Sequence, residues 1–196
     1  MKPQNDAALK EWSSVVVVLM DGKQALLIRK GGLADKGKRF AVEEDEFFLY
    51  PSYLHQQVDF VKADYVGGFE ATTARQAAEG SVRFESYAVA KDAIPVAAPD
   101  LLQRLDGLHI WNGRFIEQRL RWQPHSPAWV VLLRVYRLPQ PIIVEEQRRY
   151  RGCRSWVKLA EPLSTDGATP VLSDAEFDRY TLAVHEALSG HVAAPR

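Results

Sequence analysis

Cysteine is nearly absent from this chain: Cys153 is the single one in 196 residues. An intramolecular disulfide is therefore excluded, and so is a metal cage built from the cysteines of one chain. Long apolar runs are missing too. Val15 to Met20, which no other apolar run exceeds, falls far short of the roughly 20 residues that a bilayer-spanning helix needs. The opening MKPQNDAALKEW has no apolar signal region. Charge of one sign is not in excess, because 25 basic and 25 acidic residues cancel. No global field draws the protein toward nucleic acid or membrane, and contact with a polyanion falls to local patches. Glycine-rich dinucleotide and P-loop signatures are absent, as are internal repeats, low-complexity segments and a clean linker. The D/E-x-K match of a PD-(D/E)xK nuclease is Asp21-Gly22-Lys23, in a turn rather than on a central strand, which weighs against that class. These absences lead to an expectation of one domain over 1–196 with an ordered core at 6–189 and loose tails at 1–5 and 191–196. The expected setting is soluble and cytoplasmic, with no metal and no organic cofactor.

What is present is a mixture of strand and helix patterns. Asp6 suits the cap of a short helix over Ala7 to Trp12. The runs around Asp21-Gly22 predict a hairpin, with Val15 to Val18 as a strand covered on both faces. EDEFFLY reads as a strand with Phe47 and Leu49 on one face and Phe48 and Tyr50 on the other. Pro51 then opens an expected amphipathic helix over 52–65, on the spacing of Leu54, Val58, Val61 and Tyr65. VGGFEATTARQAAEGS reads as a break with a weak helix or loop. SVRFESYAVA, WVVLLRVYRL and RSWVKL are further strands, the second ended by Pro139-Gln140-Pro141. Short helices are expected at PDLLQRLDG and GRFIEQRLRW. Ser173 and Glu176 form a capping-box pattern before a C-terminal helix stopped by Gly190. Interspersed strands and helices without strict βαβ alternation predict an α+β fold. Its sheet is curved, mixed or antiparallel, or a small β-barrel, flanked by helices and followed by a C-terminal helix.

Several clusters bear on function. Arg29 and Lys30 sit at a strand end before Gly31-Gly32, where cations and a glycine-permitted close approach suit phosphate or carboxylate; an exposed, charged strand end is the alternative. In Tyr50-Pro51-Ser52-Tyr53-Leu54-His55-Gln56, a helix capped by Ser52 puts His55 in its first turn. The free backbone N–H groups there favour anions, and Gln56 adds an amide able to read a base edge. A half-exposed histidine with one local hydrogen bond is the alternative. RRYRGCRSW sets Arg148, Arg149, Arg151 and Arg154 around Tyr150, Cys153 and Trp156, an interleaving that suits phosphate binding and base stacking. His109-Ile110-Trp111 and Arg119 near Trp122 read as cleft lining or as core. Arg134 lies mid-strand among apolar residues and demands a carboxylate partner or a pocket opening; Glu11, Glu85 and Glu117 are the candidates. The acidic run Glu43 to Glu46 reads as a solvated turn, because neighbours along a strand point to opposite faces and do not converge on a metal.

The set ALKEW, LLIRKGG, FFLYPSYLHQ, HIW, LLRVYRL and YRGCRSWVKL, in that order over roughly residues 7 to 160, resembles the family known as domain of unknown function 1802, which implies no activity. IRKGG, DEFFLYPS, SYAVAKDA and VVLLRVYRLPQPIIVEE also resemble the EVE branch of the PUA-like superfamily. That second resemblance implies a small barrel with helices at its mouth and a pocket for RNA or a modified base. The combined expectation is a module that binds nucleic acid or a nucleotide-like anion. Arg29 and Lys30 would hold phosphate, Tyr50 would stack, and His55 and Gln56 would select, with Arg134, Arg151 and Arg154 completing the site. A small hydrolase with His55 as general base, paired with Cys153 or an acidic residue, and a protein-interaction module are the alternatives.

Overall fold

Phe47 and Phe48 are both fully buried, although successive strand residues point to opposite faces. The sheet that carries them must therefore be covered on both sides. The computed structural model describes residues 1–30, 34–36, 39–41, 44–121, 127–152 and 154–189, with backbone alone described at 34–36, 39–41, 70, 71, 73 and 74. Gly31, Gly32, Glu43, Trp122, Cys153, Gly190 and the tail from 191 lie outside the described residues. In chain order the elements are β1 (Gln4–Trp12), α1 (Ser13–Met20), β2 (Leu26–Arg29), β3 (Ala34–Lys36), β4 (Arg39–Ala41), β5 (Glu46–Ser52), α2 (Ala63–Ala71), β6 (Ser81–Val96), α3 (Pro99–Gln103), α4 (Gly113–Arg121), β7 (Ala128–Glu145), β8 (Trp156–Ser164), β9 (Thr169–Pro170) and α5 (Asp174–Ser189).

The fold is α+β. Its main sheet has seven strands in the order β2-β7-β6-β5-β1-β8, with β9 added against β7. It is mixed: β1 and β5 run parallel, and the other pairs are antiparallel. Backbone pairing does not close it into a barrel among the described residues. Phe47 and Leu49 face one core with Val15, Leu19, Leu102, Phe115 and Val184. Phe48 and Tyr50 face the other, with Phe84, Tyr87, Tyr150 and Leu159.

The first 20 residues reverse the expected order of helix and strand. Residues 4–12 are a strand, because β5 and β8 flank them and pair with their backbone on both sides; an isolated six-residue helix has no such compensation. Gln4 and Asn5 are already in that strand, and Thr165 N–H donates to the Pro3 carbonyl. Val15 to Val18, read as a strand, lie in a helix over Ser13 to Met20 with seven of its eight residues buried. A helix satisfies its own backbone and can be sunk whole into a core, which outweighs the strand preference of valine. The Asp21-Gly22 turn ends this helix rather than a hairpin. Gly22 has φ 70; its N–H donates to Leu19 O, and Lys23 N–H donates to Val18 O, which is a Schellman closure.

Two other expectations change. The helix expected over 52–65 is absent: Pro51 and Ser52 remain in β5, Val58–Phe60 is a single 3-10 turn, and the helix begins at Ala63. Leu54 and Val58 are 64% and 39% exposed, so their helical spacing marks no apolar face. Pro139 and Pro141 do not end β7. They lie in a bulge between the Phe84–Ile142 and Ser86–Arg137 pairs, where a missing N–H breaks no ladder bond.

The capping box forms. Glu176 N–H donates to Ser173 Oγ at 3.3 Å, and Ser173 N–H donates to Glu176 Oε2 at 2.8 Å. The Ser173 hydroxyl, which donates to Glu176 Oε2 at 2.6 Å, and then the Ser173 N–H hold the Glu176 carboxyl below its usual pKa. Replacing Ser173 with alanine is expected to cost about 1 kcal/mol, read from urea unfolding. Arg134, whose side chain is 6% exposed, reaches the same helix start. Its Nη2 donates to Asp174 Oδ1 at 2.6 Å, its Nη1 donates to Ser173 O at 3.0 Å, and its guanidinium lies 5.1 Å over the Phe177 ring. The required carboxylate is thus Asp174. The three proposed partners are engaged elsewhere: Glu11 with Arg29, Glu85 with Arg83 and Glu117 with Arg121.

Candidate functional site

β2 and β8 are the two outer strands of the sheet order, yet its curvature brings them together at one end. Arg29, the last residue of β2, spans the gap. Its Nη1 donates to Glu11 Oε2 at 2.8 Å, and its Nη2 donates to Ser155 Oγ at 2.8 Å, just before β8. A cleft of about 910 Å³ opens at this seam. The ends of β1, β2 and β5 contribute Trp12, Arg29, Lys30 and Ser52; the following loop adds Leu54, His55, Gln57 and Phe60; α4 adds Phe115, Gln118, Arg119 and Arg121.

One wall is aromatic. Trp12 and Phe60 lie 6.5 Å apart at 22°. Phe115 stands edge-on to both, at 6.5 and 6.0 Å, and stacks on Trp111 at 4.0 Å. Cations line the cleft as well: Lys10, Arg29, Lys30, Arg119, Arg121 and Arg154 face it with one carboxylate, Glu11. Both Glu11 oxygens are used, Oε2 by Arg29 and Oε1 by the Trp12 N–H at 2.9 Å. Lys30 is 3% exposed and donates to Leu120 O at 2.7 Å, at the end of α4. Burial lowers its pKa, and burial likewise lowers that of Arg119.

Of the residues expected at a site, Arg29, Lys30, His55 and Arg154 come to this cleft. His55 is exposed, in a turn at φ 59 rather than in a helix. It makes no hydrogen bond or ion pair among the described residues. Four residues go elsewhere. Tyr50 is 4% exposed in the second core, edge-on to Phe84, and donates to Glu146 at 3.0 Å; no ligand ring can stack on it. Burial, and then Glu146, push its phenol far above the usual pKa. Gln56 turns inward, where its Oε1 accepts from Ser14 N–H and from the Ser13 and Ser14 hydroxyls at 3.2 Å. It caps α1 from another part of the chain. Arg134 fixes α5, and the largely exposed Arg151 pairs with Glu146 at 3.1 Å. His109 is buried, Glu44 pairs with the Lys2 ammonium, and Glu46 accepts from the Lys2 N–H and the Tyr87 hydroxyl. No cluster of three or more metal-ligating side chains occurs among the described residues.

Trp12, Phe60, Phe115, Lys10 and Arg121 were not foreseen. The i, i+4 spacing of Phe115 and Arg119 was the available signal, since it puts a ring and a guanidinium on one helix face; they meet at 4.8 Å.

A family model described as a domain of unknown function, DUF1802, matches residues 8–182. The chain belongs to this family. No curated protein matches it. Among solved structures, ASCH from Zymomonas mobilis is similar at a TM-score of 0.45 and 11% identity, covering 90% of this chain and 93% of that one. A tyrosine-to-phenylalanine mutant of that protein gives 0.44 and 9%, over 90% and 96%. A serine-to-alanine mutant gives 0.43 and 11%, over 93% and 98%. Among the described residues of this family member, no helix is long and apolar enough to cross a membrane.

Proposed function

We propose that the seam cleft binds nucleic acid or a nucleotide-like anion, in a module of PUA-like type. The observation that carries this is that six cations and a set of aromatic rings line one space of about 910 Å³. Phosphates neutralise the cations, and bases stack on the two half-buried rings, Trp12 and Phe60, which the buried Phe115 backs, with stacking worth about 1–3 kcal/mol per base. Arg121 and Arg154 are exposed at the rim and meet a polyanion first. Arg29 is held by Glu11 and Ser155, so its fork is ordered before a ligand arrives, which reduces the entropic cost of binding.

The test is fluorescence anisotropy with short single-stranded RNA, DNA and mononucleotides at low salt. The Arg121→Glu, Arg154→Glu double variant is expected to weaken binding tenfold or more. It should also flatten the dependence of log Kd on log salt by about 2, one for each arginine withdrawn from a phosphate. No binding of any probe at low salt overturns the proposal.

A further inference from the structure

The cations of the cleft lie at two depths. Arg121 is 84% exposed and Arg154 is also open to solvent. Lys30 is buried, and the Arg29 side chain is 12% exposed. Arg119 belongs with the deep pair: it is half-buried, with its guanidinium over the Phe115 ring and within electrostatic range of Glu11 and Arg29. Among the described residues Arg119 has no hydrogen-bond acceptor and no paired carboxylate. Glu11 directs its two oxygens to Arg29 and to the Trp12 N–H, and no hydrogen bond or ion pair joins it to Arg119. Beside it, Arg29 Nε is buried with no hydrogen-bond partner among the described residues, and a guanidinium donor is costly to leave unsatisfied away from water. Lys30 uses one ammonium hydrogen on Leu120 O and keeps two.

We infer that this deep subsite, formed by Arg119, Arg29 and Lys30, takes a terminal phosphate monoester, with the attached nucleoside lying toward the aromatic wall. The inference rests on the anion-binding reading of the cleft and narrows it. Charge supports it: three cations against one carboxylate leave two positive charges. A phosphate monoester carries about −1.5 to −2 at neutral pH, whereas an internal phosphodiester carries a single negative charge. Depth supports it as well. An internal phosphodiester is flanked by sugars on both sides and is held at the rim, where Arg121 and Arg154 lie. A terminal phosphate has one free side and can reach the floor. Planar forks favour this use, because guanidinium donors match phosphate oxygens in pairs.

A free mononucleotide and the end of a strand share this chemistry. The test therefore compares one short single-stranded RNA in 5′-phosphorylated, 3′-phosphorylated and unphosphorylated forms, together with a nucleoside and its monophosphate. Inorganic phosphate serves as competitor. At least one phosphorylated probe is expected to bind on the order of ten- to a hundredfold more tightly than its unphosphorylated counterpart. A preference among the oligonucleotides identifies a strand end, and a preference confined to the monophosphate identifies a free nucleotide. Arg119→Gln should abolish the preference and Arg119→Lys should reduce it, while Arg154→Ala weakens phosphorylated and unphosphorylated probes alike. Equal affinity with and without the terminal phosphate overturns the inference, as does a preference that survives Arg119→Gln. If unphosphorylated RNA binds and the rim double variant weakens it, the proposed function stands and only the terminal subsite falls.

Discussion

Phe48→Ala is expected to lower the unfolding free energy by about 3–5 kcal/mol, the range for removing a fully buried phenylalanine ring. Phe48 has no exposed surface and lies edge-on to Phe84 at 5.7 Å and to Tyr87 at 4.9 Å. Its backbone is fixed from both sides, by Ala8 in β1 and Tyr87 in β6, so the strand cannot shift to fill the void. Urea unfolding should show a lower midpoint with an unchanged slope. The ring lies in the core on the sheet face that carries Tyr150 and Leu159, apart from the cluster that includes Phe115. Ligand affinity at temperatures where the variant stays folded should therefore equal that of the unaltered protein. A loss below 1 kcal/mol would show that this second core is not packed as described.

The second large effect is a pH dependence centred on His109. This ring is 4% exposed, and neither of its nitrogens has a hydrogen-bond partner among the described residues. Burial, then the Lys62 ammonium, lower its pKa from the ordinary 6.5 to about 4; Asp106 and the nearby backbone of Trp111 and of His109 itself oppose the shift. The unfolded chain binds a proton at this ring below about pH 6.5, whereas the folded chain binds none until about pH 4. Lowering the pH through that window therefore favours unfolding, and stability rises with pH across it. The expected loss between pH 7 and pH 4 from this residue is about 3 kcal/mol. His109→Leu removes the titrating group and the unpaired nitrogens together. Its stability should be flat between pH 6.5 and 4 apart from carboxylate titration, and near or above the original value at pH 4. A variant that keeps the original slope would place the linkage elsewhere.

The parts of the fold legible in the sequence were those whose signal is local. β5 declared its two faces through the Phe47-Phe48-Leu49-Tyr50 alternation. α5 declared its start through Ser173 and Glu176, which satisfy each other without help from the rest of the chain. β2, β6, α3 and α4 were also readable in this way. The start of the chain was not. Four consecutive valines carry the preference of a strand, and a helix buried all round has no amphipathic period to betray it. β1 was hidden for the complementary reason: its strand character comes from partners about 40 and 150 residues away. The helix expected over 52–65 followed a period formed partly by exposed side chains. At the cleft, Arg29, Lys30, His55 and Arg154 were legible as cations or polar turn residues next to strand ends. The aromatic wall was not, because Trp12, Phe60 and Phe115 meet only through packing between distant segments. Gln56 and Tyr50 had suitable chemistry for a ligand and were claimed by the protein interior instead.

β1 occupies an interior position in the sheet, between β5 and β8. During synthesis the ribosome delivers residues 4–12 well before residues 156–164, which cover the remaining edge of β1. Until then a nascent chain presents β1 with one open edge and Ala7, Ala8 and Leu9 at its centre, free to pair with another copy. Premature stops before about residue 164 should consequently yield sticky fragments that depend on chaperones, and the final release of a well-behaved protein waits on the arrival of its last strands.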